Sequence, residues 1–222
     1  MKNSEYFKLR ESINEKNSLN YKKLLDGILN IFGVIQSRID PYIQNHSLNV
    51  TEISLDIAEK LNHNIDEKID IEFLRYGALL HDFGKIFIPE SILNKPILLN
   101  EVERKTIQLH TTIAYNVFEE AISNYKKFLS KKGVKIIRNI ILYHHENYDG
   151  SGYPKGLKAN NIPLYARIVR IADVYDALTS ERAYRSAYDK ERALEIMLKE
   201  REKFDPKLFD IFLEINLGKI KK

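Results

Sequence analysis

The chain has 222 residues, of which 44% are hydrophobic and 30% charged, so it is long enough for one domain with an appendage and too apolar to stay disordered. Cysteine is absent, which removes disulfides, thiolate nucleophiles and Cys-based zinc sites and fits a reducing compartment. Lys+Arg 35 against Asp+Glu 31 leaves a net +4 spread along the sequence, which argues against DNA or RNA as a partner, whose binding needs clustered cations.

Residues 1–18 are polar and read as a frayed end without the apolar core of a signal peptide. Leu25, Ile28, Phe32, Ile35 and Ile39 recur three and four apart and predict a helix near 20–39. Packing of that stripe onto its own domain is preferred over a short dimer seam, because two heptads are few. Helices are expected from Ser47 to Asn62 and from Asp66 to His81. Asn100 with Glu103 forms a capping box that opens a helix to Ala121. Another is expected from Val134 to His145. Pro163 and Pro206 suit first helical turns, with Asp205 as an N-cap before the second. Glu146 to Ile162, rich in Gly, Asn and Asp, is the one long loop, and loops of that length are usually functional or disordered. The longest apolar stretches, such as Ile136 to Tyr143, are broken by Arg138 and Asn139, so no membrane insertion is expected. The fold class is therefore all-α, and the location expected is cytoplasmic.

Three of these helical stripes end on polar residues. Ile136/Ile137 and Ile140/Ile141 are followed in register by His144/His145. Leu74, Gly77 and Ala78 lead to His81, with Asp82 beside it, and Ala166, Val169 and Ala172 lead to Asp173. Unpaired imidazoles and a carboxylate on apolar faces are costly to bury. A cation held by these imidazoles and both aspartates would resolve all three, the alternative being a polar core network satisfied internally. Imidazole with carboxylate and no thiolate suits Fe, Mn, Zn, Co or Ni.

His81-Asp82-Phe83-Gly84-Lys85 resembles the signature of the HD superfamily of metal-dependent phosphohydrolases. The string His144-His145-Glu146-Asn147-Tyr148-Asp149-Gly150-Ser151-Gly152-Tyr153-Pro154, followed by Ile171-Ala172-Asp173-Val174-Tyr175-Asp176-Ala177-Leu178-Thr179-Ser180, is similar to the HD-GYP family of bacterial cyclic di-GMP phosphodiesterases. The resemblance implies a compact helical bundle over 41–222, preceded by the polar segment and helix of 1–40. It also implies a metal set of His46, His81, Asp82, His110, His144, His145 and Asp173. His46, His81 and Asp173 would share one ion, His110, His144 and His145 a second, with Asp82 bridging. The cofactor expected is two divalent transition metal ions, Fe first and Mn as the alternative. Lys85 is placed to add charge at the phosphate and is assigned a catalytic role with Asp82. Asp149, Gly152, Tyr153 and Pro154 shape the substrate pocket, and Arg182 and Arg185 match positions that contact the second phosphate. His63 has no role and falls in a solvated turn.

The activity implied is hydrolysis of cyclic di-GMP to linear pGpG. A signalling module that binds nucleotide or a partner protein without turnover, and a phosphohydrolase of another nucleotide, are the alternatives. A homodimer and signalling-protein partners are also open. Several positions depart from the family. Tyr42 stands where some members have a third-metal Glu, and Asp40 is off that helical face. Thr111 and Ala114 replace a common Pro and Gly, Ala159 replaces a usual Gly, and the stretch Ser123 to Lys132 lengthens a connection.

Overall fold

The computed structural model describes residues 27, 41–63, 68–95, 97–125, 130–181 and 186–220. The helix expected near 20–39, and Arg182 and Arg185, lie outside the described residues. The elements in chain order are α1 (Pro41–Asn62), α2 (Ile71–Leu80), a 3₁₀ turn (Phe83–Phe87), α3 (Glu90–Leu93), α4 (Glu101–Gln108), α5 (His110–Ile122), α6 (Lys131–Tyr143), α7 (Leu164–Thr179), α8 (Lys190–Lys199) and α9 (Pro206–Ile220). No strand occurs among the described residues.

Four helices close a ring: α1 packs on α2, α2 on α6, α6 on α7, and α7 back on α1. Within the ring α6 is buried on two sides, which explains its paired isoleucines. Ile136 and Ile140 join one cluster with Val50, Leu74, Val169 and Phe209. Ile137 and Ile141 join a second with Leu80, Phe83, Ala114 and Phe118. The two rows then continue into His144 and His145 just beyond the last turn. Two glycines let backbones approach. A Cβ on Gly77 would lie 2.3 Å from Ile140 Cδ1, and one on Gly84 would lie 2.1 Å from the His110 carbonyl oxygen.

Four boundaries correct the sequence reading, the first being that of α1, which starts at Pro41 rather than Ser47, proline being tolerated in a first helical turn. The second helix starts after Asp70, whose side chain accepts from the Phe73 N–H at 3.3 Å, rather than at Asp66. The choice is tertiary, because the Asp70 N–H donates to the Tyr165 hydroxyl at 2.9 Å. The helix opened by the Asn100–Glu103 capping box, which is present, does not run unbroken to Ala121. It ends at Gln108, the Leu109 N–H turning back to the Thr106 carbonyl at 3.2 Å, and α5 begins at His110 where the Gly84 backbone presses in. The helix before the long loop starts at Lys131, with the Ser130 hydroxyl accepting from the Gly133 N–H at 3.1 Å. Asp205 caps α9 as expected, accepting from the Lys207 and Leu208 amides. His63 is exposed in a turn.

Candidate metal centre

His46 comes from the first half of α1, His81 and Asp82 from the end of α2, and His110 from the junction of α4 and α5. His144 and His145 follow α6, and Asp173 lies in α7. The ring of helices brings all seven together. They fall into two groups, His46, His81 and Asp173 in one and Asp82, His110, His144 and His145 in the other, with ligand atoms in each group within 4.8 Å of one another. Asp82 faces both. Its Oδ2 lies 3.4 Å from His46 Nε2 and 3.4 Å from His81 Nε2, while its Oδ1 lies 3.2 Å from His110 Nε2. His46 Nε2 is also 3.2 Å from Asp173 Oδ1.

Four of the five imidazoles are oriented from an outer nitrogen, whereas His145 turns its Nδ1 toward Asp173 Oδ2 at 3.6 Å. Helix ends leave carbonyls without intrahelical partners, and three histidines use carbonyls near such ends. His81 Nδ1 donates to the Ala78 carbonyl at 2.6 Å, His110 Nδ1 to Ile107 at 2.7 Å, and His144 Nδ1 to Ile140 and Ile141 at 3.1 Å. His46 sits in mid-helix and uses a side chain instead, its Nδ1 lying 2.6 Å from Asp176 Oδ2. With Nδ1 protonated and the rings neutral, as metal ligation requires, the inner Nε2 of these four histidines is a lone pair directed at a carboxylate oxygen. Two of these inner atoms, His81 Nε2 and Asp82 Oδ1, are buried without a hydrogen-bond partner. Lone pairs facing lone pairs in a buried site repel unless a cation lies between them. The separations match the ligand–ligand spacing of about 3.0–3.4 Å set by metal bonds of about 2.1 Å. The donor set therefore fits divalent metal.

The local field is uneven. Burial, with the neighbouring imidazoles, pushes His144 down to about 4, and burial also holds His145 well below its ordinary value. Burial opposes the charge on His46, but hydrogen bonds to Asp173, Asp176 and Asp82 hold it well above the usual histidine range. Burial likewise opposes Asp82, whose carboxyl is held well below the usual range by Lys85 and His81. The Lys85 ammonium, in the 3₁₀ turn, contacts Asp82 Oδ2 directly.

The loop after His145 is built from its own sequence. Glu146 is buried, and its carboxylate accepts from the amides of Lys155 at 2.7 Å and Leu157 at 2.9 Å. Asp149 accepts from the Ser151 amide and hydroxyl, a local turn rather than a contact with the metal group. A Cβ on Gly152 would lie 2.3 Å from the Asn147 nitrogen and 2.5 Å from the His145 carbonyl oxygen, so only glycine fits. Tyr153 follows, stacked on His145, and precedes a cis bond to Pro154. Ala159 has φ +52°, a left-handed conformation that favours glycine. Arg170 ties the loop to α7, donating from Nε to Asn147 Oδ1 at 3.0 Å and from a terminal nitrogen to Asp173 Oδ2 at 3.4 Å. Asp176, Glu146 and Arg170 were not singled out from sequence. The signal available for Asp176 was its place three residues after Asp173 on the same buried helix face.

A helical ring with an interior His/Asp cluster able to hold metal defines the class. A family model described as HD domain matches residues 32–208. Among curated proteins, the chain is 39% identical over 158 residues to the cyclic di-GMP phosphodiesterase response regulator RpfG of Xanthomonas campestris, covering 71% of this chain and 39% of that protein. It is 32% identical over 208 residues to the cyclic di-GMP phosphodiesterase of Thermotoga maritima, covering 93% and 54%. It is 36% identical over 173 residues to the 3'3'-cGAMP-specific phosphodiesterase 3 of Vibrio cholerae, covering 78% and 35%. The chain thus spans about half or less of the length of these relatives. The fold is shared with an HDG"Y"P protein from Bdellovibrio bacteriovorus, with a TM-score of 0.59 and 24% identity over 79% of this chain and 53% of that one. The chain belongs to the HD domain family, and the HD-GYP resemblance read from its motifs holds. No helix among the described residues is long and apolar enough to cross a membrane.

Proposed function

We propose that this chain is a metal-dependent phosphodiesterase that hydrolyses cyclic di-GMP to linear pGpG at a dinuclear centre. The observation that carries the reading is the position of Asp82, one carboxylate oxygen toward each of two histidine groups. His46, His81 and Asp173 would hold one ion, His110, His144 and His145 the other, with Asp82 shared and iron favoured over manganese. Bound metal supplies Lewis acidity and neutralises charge as the phosphoryl centre is attacked.

The protein's own residues do the rest. The carbonyls behind His81, His110 and His144 fix three inner lone pairs before any ion arrives. The Lys85 ammonium stands beside Asp82, where it can turn to a phosphate oxygen. Tyr153 closes the face of His145 and offers its ring edge and phenol to the nucleotide. Glu146 and Gly152 hold that loop in place, and Arg182 and Arg185 are assigned to the distal phosphate from the family resemblance. The name of the Vibrio cholerae relative favours 3'3'-cGAMP as a second substrate to test.

Anaerobically purified protein, analysed for metal and assayed against cyclic di-GMP and 3'3'-cGAMP, tests the reading. Two ions per chain with turnover of the first are expected. Full activity without metal overturns the reading, and binding of nucleotide without turnover in the loaded protein favours a signalling module.

A further inference from the structure

Three of the inward-facing histidines donate Nδ1–H to carbonyls near helix ends, whereas His46 depends on the carboxylate of Asp176, 130 residues away in sequence. Asp176 is itself buried and held by its other oxygen, which accepts from Asn49 Nδ2 at 2.8 Å and from the Ser180 hydroxyl at 3.1 Å. We infer that Asp176 is a positioning residue that sets the tautomer of His46, keeping its Nε2 unprotonated for the ion shared with His81 and Asp173. The inference rests on the two-group metal reading above and assigns a role outside the ligand set.

The chemistry is directional. A carboxylate can only accept, so His46 must donate from Nδ1 and present a bare Nε2. A carboxamide at 176 offers one acceptor and one donor, and its neighbour at 49 decides which of them meets His46. Asn49 can turn either way, so Asp176→Asn alone leaves the choice open. With Asn49→Asp in addition, residue 49 only accepts, the amide NH₂ turns to it, and the amide oxygen stays on His46. With Asn49→Lys instead, residue 49 only donates, the amide oxygen turns to it, and the NH₂ meets His46. Nδ1 must then accept, and the proton moves to Nε2, where it blocks the metal lone pair. Residue 49 touches no ligand atom in this scheme except through Asp176.

Zinc titration of metal-free full-length protein, with long-range ¹⁵N–¹H spectra of the histidines, tests this. Wild type is expected to take up two ions with His46 protonated at Nδ1. Asp176→Asn should weaken one ion by about 10- to 100-fold, the usual effect of losing an outer partner of a metal-bound histidine, and leave the other unchanged. Asn49→Asp with Asp176→Asn should recover most of that affinity. Asn49→Lys with Asp176→Asn should lose the ion and show His46 protonated at Nε2, although Asn49→Lys alone keeps both ions. Equal affinity and the same His46 tautomer in the two double variants would overturn the inference. If wild type itself binds fewer than two ions, the dinuclear reading fails instead. The His46 tautomer in the same variants, recorded where the ring is neutral, then decides the role of Asp176 alone.

Discussion

Tyr153 lies on His145 with ring centroids 4.7 Å apart and planes 26° from parallel, and its N–H donates to the His145 carbonyl at 3.2 Å. Burial, with Asp173 and Asp82 nearby, holds the phenol well above its ordinary value, so it is neutral at pH 7. Two roles can therefore be separated by substitution. Tyr153→Phe keeps the stack and should retain metal, with any loss confined to nucleotide KM. Tyr153→Ala removes the stack and should also lower affinity for the ion on the His145 side. Equal metal binding in all three proteins would show that the stack does not support His145.

Asp82→Ala should lose more than one ion per chain, because one carboxylate faces both histidine groups. Lys85→Ala should keep its metal and lower kcat by about 10²-fold, the scale of removing one charge-stabilising donor. Metal analysis beside steady-state kinetics checks both. Loss of a single ion by Asp82→Ala would argue against a bridge.

Gly152→Ala places a methyl against the backbone of residues 145–147. The loop must shift, at a cost of about 3 kcal/mol, the upper end for overpacking. Thermal unfolding should fall by several degrees and nucleotide hydrolysis should be lost in the loaded protein.

Ala159→Gly should do the reverse. The left-handed φ of +52° at Ala159 carries a steric penalty of about 1–2 kcal/mol for a side chain. Glycine relieves that while costing about 0.4–1 kcal/mol in unfolded-chain entropy. A net gain of about 0.5–1 kcal/mol, or roughly 2 °C in Tm, is the expected result in calorimetry.

Tyr42 lies one helical turn before His46 in α1, the position where the family resemblance would place the carboxylate for a third ion. A neutral phenol ligates divalent metal poorly, so a second cleavage of the linear product should be slow and pGpG should accumulate. Chromatography of a time course reads this directly. Rapid stoichiometric GMP would contradict it, and Tyr42→Glu should speed the second step.

The parts of this protein legible in sequence are those set by periodicity and local chemistry. The paired isoleucines of α6 mark a buried stripe, and the residues continuing its rows are the metal candidates; that the helix is buried on two sides is visible only in the structure. Asn100 and Asp205 were readable as caps because capping is a contact between near neighbours. The start of α2 and the break at Leu109 were not, since Tyr165 and Gly84 impose them from elsewhere in the chain. Asp176 and Glu146 escaped for a related reason. Their acceptors become meaningful only once the fold supplies His46 and the Lys155 and Leu157 amides.

The two metal groups have different histories during synthesis. Asp82, His110, His144 and His145 all emerge before α7 is made. The other group waits for Asp173, and His46 spends that interval without its acceptor from α7. A nascent chain, or a proteolytic fragment ending before Leu164, carries all four side chains of one group but only His46 and His81 of the other. Packing of α7 against α1 brings in Asp173 and Asp176, so the proposed centre is whole only once the last helix of the ring has been translated.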